Sequence, residues 1–350
     1  MMSNGDTATQ DKTTFDFDVE TLARYLESNV QGFKGPLTAE KFAGGQSNPT
    51  FLIKATSGRY VLRRKPPGEL LKSAHAVDRE FQVMSALRET PVPVAQAFHL
   101  CDDDSIIGSM FYLMEYIDGR VLWDPTLPEA TQAERRQIYN EMNRVLAELH
   151  SVDVDAVGLS DYGRPGNYFA RQISRWSKQY RATETETLES MERLLQWLPE
   201  NMPADDGKVA LAHGDFRLDN MMFHPTSSKV LALVDWELST LGHPFADLAY
   251  QCMQWRMPHG GVMSGLGGID RQSLGIPSEQ EYVQEYCQRM GLTEIPSWNF
   301  YLVFSFFRLA AILQGVKKRA LEGNASSEKA QQMGELVEPL TRMACELIDE

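Results

Sequence analysis

The 350-residue chain holds only four cysteines, Cys101, Cys252, Cys287 and Cys345, and no two of them form a CxxC pair. Neither a disulfide framework nor a zinc ribbon is suggested, and a reducing cytoplasm is the compartment this usage fits. Basic residues are also in deficit: 34 Lys and Arg face 48 Asp and Glu, for a formal net charge of −14. A general nucleic-acid binder or a protein held on anionic lipid needs a basic face, so the balance speaks against both partners. Residues 1–16 lack the basic start and apolar run of a secretion signal and read as a frayed polar tail. The most apolar stretch, Phe300 to Val316, is interrupted by Ser305, Arg308 and Gln314. It falls short of the ~20 apolar residues of a membrane span and reads as a core helix. Hydrolase signatures are missing as well, with neither a GxSxG elbow nor an HExxH pair.

What is present is ordinary globular material. Hydrophobic residues make up 43% of the chain and charged residues 23%, enough apolar side chain to build a core. At this length the chain forms either one large domain or two lobes. From Glu40 to Lys65 the pattern is strand, GGQSNP turn, strand (50–55), Ser57-Gly58 turn, strand (59–64), which predicts an antiparallel meander. Lys72 to Arg88 has Val77, Phe81, Met84 and Leu87 at helical spacing. Phe98 to Cys101 and Ser109 to Tyr116 can pair as strands across an acidic CDDDS turn. Helical patterns follow at 132–151, 167–181, 187–198, 280–289, 300–319 and 328–348, interrupted by one short hairpin around 221–234. The order predicts an α+β fold, a small β-rich lobe over 17–117 and a larger helical one over 118–350.

The hairpin carries the chemistry. Its second arm is the apolar run LALV, and HGDFRLDN, residues 213–220, precedes the first arm, while Asp235-Trp236-Glu237 follows the second. An antiparallel hairpin brings its open ends to about 5 Å between facing Cα atoms, so Asn220 and Asp235 are expected to be neighbours. Two oxygen donors then face one point, which suits Mg²⁺, since that ion takes only one or two protein ligands alongside phosphate and water. Asp215 stands five residues before Asn220, where a loop can aim it at an incoming hydroxyl. The bland alternative makes Asp215 and Asn220 turn formers and Asp235 a cap.

The spacing resembles the kinase signature, in which a catalytic-loop Asp is followed five residues later by a metal-binding Asn and, after a hairpin, by a metal-binding Asp. With His213-Gly214-Asp215 in place of HRD, the chain resembles the aminoglycoside phosphotransferase and choline kinase-like family. That resemblance runs from about Phe42 to Tyr250. It implies a two-lobed protein-kinase-like fold, ATP and Mg²⁺ as cofactors, Asp215 as catalytic base and Asn220 and Asp235 as metal ligands. Arg217 falls at the place of the protein-kinase catalytic-loop Lys and would neutralise γ-phosphate charge. Asp247, in HPFADLA, is expected to brace the catalytic loop.

Upstream, Gly45, Ser47 and Asn48 of GGQSN lie between two predicted strands, either as a phosphate-cradling Gly-rich loop or as a plain hairpin turn. Alternation places Val61 and Arg63 on one strand face, Val61 to roof the adenine and Arg63 to reach the phosphates. The family position is usually Lys, and Arg64 or Lys65 takes the role if the register slips. Glu80 puts a carboxylate on an inward helix face, with Arg63 as natural partner and Arg79 or Arg88 as surface alternatives. Glu115 and Tyr116 fall at the family's adenine-binding hinge. Around the acceptor, Arg171, Arg175 and Lys178 form a basic stripe at helical spacing, beside Trp176 and Tyr180. The run RQISRWSKQY resembles the family branch fused to certain acyl-CoA dehydrogenases, which implies a hydroxyacyl-CoA acceptor. A solvated helix face is the alternative. Other readings are an aminoglycoside or amino-alcohol kinase and a catalytically silent nucleotide-binding scaffold. The Gly-rich stretch 259–275 reads as a flap over the acceptor or as plain loop.

Overall fold

The computed structural model describes residues 17–42, 48–66, 76–322 and 328–350. The expected tail over 1–16, the turn residues Gly45 and Ser47, and the helix start at 72–75 lie outside the described residues. The chain divides into two compact units: the first reaches to Phe81 and adds Gln96–Tyr116, the second takes Gln82–Ala95 and Ile117–Glu350.

In the first unit, α1 (Val19–Asn29) is started by Asp18, whose carboxylate accepts the Thr21 backbone N–H at 2.9 Å. Strands β1 (Leu37–Lys41), β2 (Thr50–Ala55) and β3 (Gly58–Arg64) form the predicted meander. Helix α2 (Val77–Leu87) comes next, followed by β4 (Ala97–Cys101) and β5 (Phe111–Glu115). The sheet order is β1-β2-β3-β5-β4, antiparallel throughout, with β5 inserted beside β3. Leu22 and Leu26 of α1 pack with Ile53, Leu62, Phe111 and Leu113 from the sheet in one core. Alternation along β3 turns Leu62 into this core and sends Arg63 to the opposite face.

The second unit opens with α3 (Gln132–His150), begun by a Thr131–Glu134 capping box. Helices α4 (Tyr168–Thr183) and α5 (Glu189–Glu200) follow. Next come four short strands, β6 (Ala210–Ala212), β7 (Met221–Phe223), β8 (Val230–Leu233) and β9 (Thr240–Gly242). The predicted hairpin is β7–β8, with Met221 opposite Leu233. A second ladder, β6–β9, surrounds it and was not expected, because three-residue strands leave too little alternation to detect. Helices α6 (Pro244–Met253), α7 (Arg271–Leu274), α8 (Glu279–Met290), α9 (Trp298–Leu321), α10 (Glu328–Glu335) and α11 (Val337–Asp349) complete the chain.

Helix α9 is long and apolar enough to cross a membrane by length and composition, yet 83% of its most apolar window is buried. It packs against α4, α6 and α11 and is the expected core helix. The single helix expected over 328–348 is in fact two, α10 and α11, which break at Leu336. Pro339 in the first turn of α11 has no N–H to give to the carbonyl four residues back, so the ladder cannot run through.

Candidate active site

The loop after β6 is held almost entirely through its backbone. Asp247, on α6 and 1% exposed, accepts the N–H of His213 at 2.6 Å and that of Gly214 at 2.9 Å. On the other side of this carboxylate stands His150 Nε2 at 3.4 Å, and the His150 Nδ1 is bonded to the Tyr286 hydroxyl at 2.8 Å. Burial pushes the Asp247 carboxyl up, but His150 and the loop amides outweigh it and the net shift is downward. From α9, Arg308 donates to the Gly214 carbonyl at 2.6 Å. Gly214 has φ +82°, and a Cβ there would lie 2.5 Å from the Leu238 carbonyl oxygen. Only glycine fits this turn.

His213 is fully buried and joins the loop to the far end of the hairpin. Its Nδ1 accepts the Asp215 N–H at 3.2 Å, so Nε2 carries the proton and donates to the Val234 carbonyl at 3.0 Å. Val234 in turn donates its N–H to the Asn220 carbonyl at 2.9 Å. The expected meeting of the hairpin's two ends is therefore made by backbone bonds on both sides. Asn220 gives its side-chain N–H₂ to the Asp215 carboxylate and to the Asp215 carbonyl, each at 2.9 Å. This orients the Asp215 carboxylate and leaves the Asn220 Oδ1 for another partner. Asp235 takes up φ 66°, ψ 61°, a left-handed conformation that costs a non-glycine residue about 1–3 kcal/mol and marks functional positions.

Among the described residues no group of three His, Cys, Asp or Glu side chains could hold a metal ion. A Mg²⁺ arriving with nucleotide needs less than that. The Asn220 Oδ1 and the Asp235 carboxylate are the hard oxygen donors such an ion takes, and they fit it.

Arg217 sits beside Asp215. Its Nε is 3.7 Å from the Asp215 carboxylate, and its Nη2 pairs with Asp219. Asp215 keeps 23% of its side chain exposed, so an incoming hydroxyl can reach it. Tyr250 of α6 also faces Asp215: burial first and the Asp215 charge second raise its phenol above the usual range, so it remains a donor. Sequence reasoning missed Tyr250, His150 and Arg308. Only Arg308 left a signal, as a cation inside an apolar helix that must find a buried acceptor.

In the first unit the expected ion pair is present, with Arg63 Nε 3.0 Å from the Glu80 carboxylate and Glu80 2% exposed. Tyr112 donates its hydroxyl to the same carboxylate at 3.1 Å. Arg64 turns instead to Ser109, and Lys65 to Asp78. Asn48, expected at the nucleotide, is fully buried and gives its amide N–H₂ to the Glu80 carboxylate at 2.9 Å. Val61 is 8% exposed on β3. Glu115 is exposed and pairs through its backbone with Gln96, and the Arg59 guanidinium lies 4.3 Å from the centre of the Tyr116 ring.

On α4, Arg171 reaches back to the Arg164 carbonyl, Arg175 lies 5.1 Å from the centre of the Trp176 indole, and Lys178 is exposed. The Gly-rich stretch is held by its backbone at several points. Backbone bonds tie Gly265 to Pro258, Leu266 to Gln254 and Gly267 to Met257. Added Cβ atoms at Gly265 and Gly267 would lie 2.2 Å and 2.6 Å from the Met257 and Arg256 carbonyls, so these glycines serve close backbone approach.

Comparison with known proteins identifies the family and fold. Residues 38–282 match the model of the phosphotransferase enzyme family. The mouse acyl-CoA dehydrogenase family member 10 is 49% identical over 93% of this chain, which covers 30% of that protein. The chain spans less than half the length of the curated relatives it matches. A Ralstonia eutropha JMP134 crystal structure, provisionally named an aminoglycoside phosphotransferase, is 50% identical with a TM-score of 0.89, over 95% of this chain and 98% of that one. A spectinomycin phosphotransferase solved with ADP and spectinomycin shares the fold at 13% identity, with a TM-score of 0.62 over 95% of this chain and 99% of that one. The chain belongs to the phosphotransferase enzyme family and carries its two-lobed α+β kinase-like fold.

Proposed function

We propose that this phosphotransferase moves the γ-phosphoryl of ATP directly onto the hydroxyl of a small anionic acceptor, a hydroxyacyl-CoA first among them. The observation that carries the reading is the pair of hydrogen bonds from the Asn220 amide to Asp215 within a loop fixed by Asp247. That pairing presents a carboxylate to an acceptor hydroxyl and an amide oxygen to a cation from one six-residue span. Asp215 orients the hydroxyl and accepts its proton as the oxygen attacks in line, with no phosphoenzyme. Asn220 and Asp235 would hold the Mg²⁺ that accompanies the nucleotide, and that ion supplies charge neutralisation on the phosphates. Arg217 offers a second positive charge beside the reacting group. In the first unit, Arg63, steadied by Glu80, is the candidate phosphate ligand, with Val61 for adenine and the backbone at Glu115 and Tyr116 for its edge. A guanidinium there is a planar fork where the family usually has an ammonium.

The basic stripe on α4 favours the anionic acceptor. Among the described residues neither Arg175 nor Lys178 is paired with a carboxylate, although the chain as a whole is strongly acidic. Aminoglycosides are polycations, and Arg171, Arg175 and Lys178 would repel them. Arg175→Ala is expected to raise KM for a hydroxyacyl-CoA with kcat little changed; unaltered kinetics would remove this acceptor assignment.

The test of the whole reading is Asp215→Asn. We expect kcat, followed as ADP release with a hydroxyl acceptor, to fall by about 10²–10⁴ while ATP binding persists. Wild-type turnover in this variant would refute the role of Asp215.

A further inference from the structure

Next to the base lies a pocket of about 270 Å³ with a mixed lining. Arg217 and Asp219 line it, as do Gln251, Gln254, Ser264 and Tyr250, which faces Asp215. Its apolar lining comes from Met253 at the end of α6, Met257 just beyond that helix, Val262 and Met263 of the Gly-rich loop, and Met333 of α10, with the exposed Trp123. Four thioethers in the lining of one pocket are far more than chance would place, since the whole chain has 16 methionines. Trp123 is 75% exposed, the most open of the large hydrophobic side chains among the described residues. An indole left in water at the mouth of an apolar pocket has surface to gain by covering an apolar ligand.

Thioethers accept hydrogen bonds weakly and donate none, so the methionine part of this lining offers the ring hydroxyls and ammonium groups of an amino sugar little. An alkyl chain loses nothing there. Methionine side chains are unbranched and adjust to a flexible chain in many shapes. We propose that the methionine pocket takes a straight alkyl segment of the acceptor, running away from the hydroxyl that Asp215 activates. The inference rests on the assignment of Asp215 as the base. At roughly 30 Å³ for each water-sized group, the space suits an alkyl segment of about nine non-hydrogen atoms.

The test uses the full chain and saturated straight-chain acyl thioesters of coenzyme A, which lack the reacting hydroxyl, titrated by calorimetry. The expected result is a Kd that falls about fourfold for each added methylene until the pocket is filled. Met263→Asp and Met333→Asp, both half-buried positions, are each expected to flatten that dependence. A thermal melt confirms that each variant is folded, and Trp123→Ala at the exposed rim provides a further variant expected to weaken the longer chains. A wild-type Kd indifferent to chain length, or an undiminished slope in the folded aspartate variants, overturns the proposal. ADP release from ATP with hydroxylated thioesters separates the two levels. A chain-length slope without ADP release sustains the pocket and defeats the phosphotransfer reading, whereas ADP release without a slope does the reverse.

Discussion

The Glu80 cluster in the first unit and the His213–Asp215 loop in the second both hold charged groups in place, but they do it with different atoms. Around Glu80 the partners are side chains: Arg63, Asn48 and Tyr112 converge on one buried carboxylate. Around Asp215 the support reaches the main chain: Asp247 holds two loop amides, Arg308 a loop carbonyl, and His213 the carbonyl of Val234. A side-chain cluster fixes one functional group and tolerates small backbone shifts. A backbone clamp fixes the path of a whole loop, and with it every group the loop carries. A general base, the role proposed for Asp215, needs the second kind, because its distance to a reacting oxygen sets the rate.

This contrast can be broken by substitution. The largest effect is expected for Asp247→Ala, which leaves His150 and two buried amides without their acceptor. Unfolding free energy should drop by about 3–5 kcal/mol, measured by denaturant titration. A loss under about 1 kcal/mol would show that the clamp carries little of the fold. Gly214→Ala comes next. The positive φ and the 2.5 Å approach to Leu238 force the loop to move, so kcat should fall about a hundredfold in steady-state assays while the protein stays folded. Near-normal turnover would mean that the loop path is looser than its bonds suggest. The smallest effect is expected for Glu80→Gln, which leaves Arg63, 12% exposed, without its counter-charge. A loss of about 1–3 kcal/mol in stability and a raised KM for ATP are expected, with kcat less affected than in the loop variants. A kcat drop as deep as that of Gly214→Ala would erase the distinction between the two regions.

The two regions also differed in legibility. Arg63 and Glu80 could be matched from sequence because each sits on a regular element, where alternation or helical spacing states which way a side chain faces. Asn220 and Asp235 could be matched because a short turn joins two extended arms and fixes their pairing. The burial of Asn48 was not legible, since a polar residue after a glycine pair looks the same whether it turns outward or inward. The β6–β9 ladder and α6 escaped notice because the strands are three residues long and α6 is buried on all sides, which removes the periodicity that reveals a helix. Tyr250 and His150 carried no local sign of their roles.

The sequence by itself determined the strand-rich first part, the β7–β8 hairpin, the spacing of Asp215, Asn220 and Asp235, and the charge of the chain, since these follow from neighbours along the backbone and from composition. Tertiary structure alone decided that Asp247, His150 and Arg308 would grip the loop, and that four methionines from three separate segments would face one pocket. Those contacts join residues far apart in the chain. Their pairing is set by how whole helices pack, and no local pattern of side chains encodes that.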